Sequence, residues 1–117
     1  MTAVTIWHNP RCSKSRETLA LIEARGLKPE IVRYLETPPS EKEIRAAARL
    51  LGLSSVRELI RTKEPDYKAL KLDDPTLSEE ALASALRKTP ALIERPVVFA
   101  RGKAAIGRPP EAALSIL

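Results

Sequence analysis

The sequence is 117 residues long, 44% hydrophobic and 30% charged, with 20 lysines and arginines against 15 acids and a net charge of +5. That length predicts one domain with a core of its own, independent of cross-links or metal. The only cysteine, Cys12, excludes an internal disulfide; Cys12 and His8 cannot supply four zinc ligands, and no uncharged apolar stretch reaches the ~20 residues of a membrane helix.

Ala3-Val4-Thr5-Ile6-Trp7 is β-branched and aromatic and stops at His8-Asn9-Pro10, which predicts a buried strand ending in a turn. A helix is expected from about Ser13 to Arg25, with Leu19 and Ile22 at helical spacing and Gly26 placed to terminate it. Ile31-Val32-Arg33-Tyr34-Leu35 reads as a second strand, stopped by Thr37-Pro38-Pro39. Strand, helix and strand within about thirty residues make a βαβ unit.

The middle of the chain is helical in pattern. Ser40 and Glu43 form a capping box ahead of Ile44, Ala47, Ala48 and Leu51, and Ser55 and Glu58 repeat the signal. Further helices are expected near Tyr67 to Leu70 and from about Ser78 to Lys88, with Leu82, Ala85 and Leu86 facing inward. Strands return at Pro96 to Ala100 and Lys103 to Ile106, joined at Arg101-Gly102 as a hairpin. Pro109-Pro110 then opens a short terminal helix with Ala113, Leu114 and Leu117 toward the core. The expected fold class is α/β: βαβ, a helical insertion over about 40–90, then ββα, within one domain over 1–117.

Cys12 lies between a strand end and a helix start, where unpaired backbone N–H groups and the helix dipole favour an anion. Arg11, Lys14 and Arg16 add positive charge, so this is the setting of a reactive thiolate. A phosphatase loop needs arginine six residues after its cysteine, where this chain has Thr18, and a dithiol redox motif needs cysteine where it has Ser15. A monothiol mechanism remains, its second thiol supplied from outside. Arg61, Arg95 and Arg108 carry planar donors suited to a tetrahedral oxyanion. Composition and spacing alone do not lift them above solvated surface arginines.

Four segments change that: His8-Asn9-Pro10-Arg11-Cys12-Ser13-Lys14-Ser15-Arg16, Tyr34-Leu35-Glu36-Thr37-Pro38-Pro39, Ile93-Glu94-Arg95-Pro96-Val97-Val98 and Gly107-Arg108-Pro109. In this order and spacing the chain resembles the glutathione/glutaredoxin-coupled arsenate reductases, in their broader arsenate-reductase-like branch, over nearly its whole length. The resemblance implies a thioredoxin-like fold with a mixed four-stranded sheet. It implies that Cys12 attacks arsenate while Arg61, Arg95 and Arg108 hold the oxyanion, Arg57 being the alternative to Arg61. His8 and Ser15 would stand beside the thiol, Ser15 donating its hydroxyl to the sulfur, and Pro96 would be a cis-proline facing it.

No bound cofactor or metal is implied; glutathione is the expected co-substrate and glutaredoxin the expected protein partner. A monomer in the reducing cytoplasm is expected. Nucleic acid is not an expected partner, since the charges are interspersed and the aromatic residues needed for stacking are few. The other readings are an Spx-like regulator of RNA polymerase and a glutathione-linked thiol reductase acting on another substrate.

Overall fold

The computed structural model describes residues 3–117. Two compact units divide it: residues 3–37 with 95–117 form the first, and residues 38–94 the second.

In the first unit, β1 (Val4–Trp7), α1 (Ser13–Ala24), β2 (Glu30–Val32), β3 (Val97–Ala100) and β4 (Lys103–Ile106) precede a terminal 3-10 helix, Pro110–Ile116. The sheet order is β2-β1-β3-β4. β1 pairs parallel with β2 and antiparallel with β3, which pairs antiparallel with β4. This is the mixed four-stranded sheet expected from the sequence. Alternation places Val4, Ile6, Val98 and Ala100 on one face, where Ile22 of α1 and Ala113 and Ile116 of the terminal helix complete a buried cluster. Trp7 and Phe99 stack obliquely, their ring centroids 5.0 Å apart.

Three local expectations need correction. β2 ends at Val32 rather than Leu35, because the Glu36 and Thr37 amides both donate to the Arg33 carbonyl and turn the chain. Tyr34 contributes apolar character to the run, but it lies in that turn and is fully buried. The terminal segment is 3-10 rather than α-helical, which buries Ile116 and leaves Leu114 half-buried. Along α1 the buried side is Ser15, Thr18 and Ile22, two of them polar.

The second unit contains α2 (Glu41–Leu50), a 3-10 turn at Val56–Leu59, α3 (Pro65–Ala69), α4 (Glu79–Lys88) and a 3-10 turn at Pro90–Leu92. α2 packs its Ile44, Ala47 and Ala48 side against α4, whose buried residues are Leu82, Ala83 and Leu86 rather than the expected Ala85. The Ser40 box is formed: Ser40 Oγ accepts from the Glu43 amide at 3.1 Å and Glu43 Oε1 from the Ser40 amide at 2.9 Å. Ser40→Ala is therefore expected to cost about 1 kcal/mol, measured as a lower urea midpoint at unchanged slope. An unchanged midpoint would mean that this cap contributes nothing.

Charge is unevenly shared. The first unit carries 10 lysines and arginines against 5 acids, whereas the second is balanced at 10 of each, so the whole +5 belongs to the unit that contains Cys12. No helix among the described residues is long and apolar enough to cross a membrane.

Candidate active site around Cys12

β1 delivers His8 and Asn9 at its carboxyl end, and a short turn brings Cys12 to the N-cap of α1, its amide donating to the Asn9 carbonyl at 3.0 Å. The turn is pinned from inside by Ser15. Its hydroxyl oxygen accepts from the Asn9 amide at 3.0 Å and lies 2.6 Å from His8 Nδ1, while Asn9 Oδ1 accepts from the Arg11 amide at 3.0 Å. His8, Asn9, Cys12 and Ser15 are all buried or nearly so. Burial, with the charges of Arg33 and Arg16, holds His8 below the ordinary histidine range. Its imidazole is therefore neutral at neutral pH, a hydrogen-bonding strut and not a charge beside the thiol.

The Ser15 hydroxyl thus serves His8 and Asn9, and it is the Ser15 backbone amide that acts on the sulfur. Burial is the largest influence on Cys12 and pushes its thiol up. The Ser15 amide, the Arg95 side chain, the Lys14 amide and the Arg95 charge together outweigh it, and the thiol lies below the ordinary value. No acid occupies the first turn of α1, so the positive end of the helix is not already neutralised there.

The arginines reach the thiol from the hairpin side of the same unit. Arg108 Nη2 is 3.6 Å from Cys12 Sγ, and its Nε donates to the Arg95 carbonyl at 2.8 Å. The Arg95-Pro96 and Arg108-Pro109 bonds are both cis. Two guanidiniums and the amides at a helix start therefore converge on one sulfur. Such a site can hold a thiolate and stabilise an oxyanion brought against it.

Arg61 lies in the second unit. The Ile60–Ile93 bridge, with the Arg61 amide donating to the Leu92 carbonyl and the Glu94 amide to the Leu59 carbonyl, sets residues 61 and 94 side by side. There Arg61 Nη1 pairs with Glu94 Oε1 at 3.0 Å and Nε with Glu64 Oε1 at 3.2 Å. Arg57 is engaged differently. Its two terminal nitrogens donate to the Leu72 and Asp74 carbonyls at 2.6 and 2.7 Å, fastening the loop before α4. No group of three or more metal-ligating side chains occurs among the described residues.

The contacts of Asn9, Thr18 and Gly107 around the Cys12 turn and the Arg108 loop are not legible in the sequence. Thr18 carries only an ordinary polar signal, and Asn9 and Gly107 stand out only as members of the His8 to Arg16 and Gly107-Arg108-Pro109 segments.

The lowered thiol has a testable sign. Above its titration point Cys12 is thiolate and reactive, below it a slow thiol, so alkylation by iodoacetamide should reach half its maximal rate at lower pH than for free cysteine. A midpoint equal to or above that of free cysteine would show that burial outweighs the amides and arginines.

The ArsC family model matches residues 7–116. The chain is 56% identical to the uncharacterized protein YfgD of Escherichia coli K12, over 97% of this chain and 96% of that one. It is 51% identical to an arsenate reductase of Neisseria meningitidis over 95% of each chain. The solved structure of an arsenate reductase from Vibrio cholerae superposes with a TM-score of 0.96 at 52% identity, covering 99% of this chain and 98% of that one.

Proposed function

Because the chain belongs to the ArsC family, we propose that it is an arsenate reductase whose nucleophile is Cys12 and whose electrons come from glutathione and glutaredoxin. The observation that carries this reading is the Cys12 sulfur under Arg108 Nη2 at 3.6 Å, with Arg95 bonding the same sulfur.

The thiolate attacks arsenic, an As–S bond forms, and an arsenate oxygen leaves as hydroxide or water. Arg95 and Arg108 offset the charge on the remaining oxygens, with Arg61 as the third guanidinium. A glutathione thiolate then attacks the Cys12 sulfur. The As–S bond breaks with its electron pair going to arsenic, so As(V) becomes As(III) and the two sulfurs are oxidised to a Cys12–glutathione disulfide. Arsenite departs, and glutaredoxin takes up the glutathione by thiol–disulfide exchange, returning Cys12 as thiolate. His8, Ser15 and Pro96 support the thiol turn. The reading takes the chain as a single cytoplasmic domain that acts as a monomer, with the helical segment over about 40–90 inserted in it.

The test is NADPH consumption by the protein with glutathione, glutaredoxin and glutathione reductase. Arsenate-dependent consumption is the expected result. None, from protein whose Cys12 is reduced and alkylatable, would overturn the choice of substrate.

Arg61 has its own test. If it serves the oxyanion, Glu94 competes for its guanidinium, and Glu94→Gln removes the competing charge. The KM for arsenate should then fall by about fivefold, the worth of roughly 1 kcal/mol for an exposed-to-part-buried pair. An unchanged or higher KM would remove Arg61 from arsenate binding.

A further inference from the structure

Gly107 has none of the positive φ that marks Gly26, Gly52 and Gly102. Its lack of a side chain is needed for space. A Cβ placed there would collide with Thr18 Oγ1, lie 2.8 Å from Pro96 Cγ and 3.0 Å from Thr18 Cγ2. Neither neighbour can yield easily. Thr18 is fully buried, β-branched, and held by its hydroxyl donating to the Lys14 carbonyl at 2.7 Å, and Pro96 is a closed ring. The Gly107 amide also donates to the Pro96 carbonyl at 3.0 Å, drawing the two backbones together.

These contacts close a ring through the thiol. Cys12 and Lys14 begin α1, Thr18 one turn later meets Gly107, and the next residue, Arg108, reaches back to Cys12 Sγ and to the Arg95 carbonyl. We propose that Gly107 and Thr18 are positioning residues, whose close contact sets the Arg108 guanidinium against the Cys12 sulfur. Neither touches a reacting atom; they act through Arg108. The assignment rests on the reading of Arg108 as a partner of the Cys12 thiolate, but not on arsenate being the substrate.

The test is alkylation of Cys12 in the full chain as a function of pH, with neutral iodoacetamide and anionic iodoacetate. In Gly107→Ala the added methyl pushes the Arg108 segment off α1. The apparent thiol pKa should rise and the iodoacetate-to-iodoacetamide rate ratio should fall. A rise of one unit leaves about tenfold less thiolate well below the titration point. Adding Thr18→Ala to Gly107→Ala removes Oγ1 and Cγ2, the atoms in the way, and should recover much of both quantities. Wild-type pKa and rate ratio in a folded Gly107→Ala, or no recovery in the double variant, would overturn the proposal.

If Gly107→Ala does not fold, Thr18→Val decides the question, since it puts a methyl in place of the oxygen facing Gly107 and drops the Lys14 bond. A raised thiol pKa with lower iodoacetate preference is then expected, and unchanged values would overturn the assignment. None of these readouts requires arsenate, so failure to reduce arsenate and failure of this seat are separate results.

Discussion

Replacing Cys12 with serine is expected to lower arsenate-dependent NADPH consumption by at least about a thousandfold. Serine fits the space, but its hydroxyl stays protonated at neutral pH and cannot form the thiol ester that the proposed sequence requires. The structure adds a second expectation for the same variant. Residue 12 is the N-cap of α1, a position at which serine is preferred and cysteine is not. Cys12→Ser should therefore fold and melt at or above the wild-type temperature while losing turnover. Steady-state assay beside thermal denaturation checks both halves. Turnover within tenfold of wild type would exclude Cys12 as nucleophile, and a lower melting temperature would show that the thiolate contacts hold the helix start better than a hydroxyl does.

Arg95→Lys is the second large effect, expected to reduce kcat/KM for arsenate by about a hundredfold, the scale of losing one preorganised oxyanion donor. Arg95 bonds the Cys12 sulfur with its side chain and receives Arg108 Nε on its carbonyl. Lysine keeps the positive charge and the carbonyl but not the planar fork, so it cannot serve sulfur and oxyanion together. The two contributions separate in the measurement. In Arg95→Lys the alkylation midpoint should rise less than in Arg95→Ala, which also removes the charge, while both lose turnover. A lysine variant with wild-type kcat/KM would reduce the part played by Arg95 to charge alone.

Much of this fold could be read from local chemistry. The Ser40–Glu43 box, the Gly26 stop and the Arg101-Gly102 hairpin are dictated by a few neighbouring residues, and each formed where expected. Expectations failed where tertiary context decides. Tyr34 and Leu35 extend the strand-like pattern past Arg33, yet a turn on the Arg33 carbonyl ends the strand at Val32, and Tyr34 is buried outside it. On α1, apolar periodicity pointed to Leu19, but Ser15 and Thr18 are buried more completely because each has a hydrogen-bond partner inside.

The site divides in the same way. The place of Cys12 at a helix start is legible from its flanks. That Arg95 and Arg108 face it depends on β3 pairing with β1 and β4 with β3, a long-range arrangement no local pattern encodes, so only family resemblance points to these arginines. The seat at Gly107 is a matter of tenths of an ångström between backbone and Thr18, and spacing is blind to that. A carboxylate at Glu94 is able to pair with one of the site arginines, but that it takes Arg61 follows only from the Ile60–Ile93 bridge, which sets residues 61 and 94 together.

The confinement of the whole +5 to the unit bearing the thiol has a kinetic consequence. Arsenate and glutathione, the reactants of the proposed reaction, are both anions at neutral pH, and the positive field of the Cys12 unit draws each toward it over distances set by the Debye length, about 8 Å at physiological ionic strength. Added salt shortens that reach. Encounter with anionic reactants should slow as salt rises, while a neutral thiol reagent such as iodoacetamide feels little of the change. The balanced charges of residues 38–94 leave that unit almost silent to ionic strength.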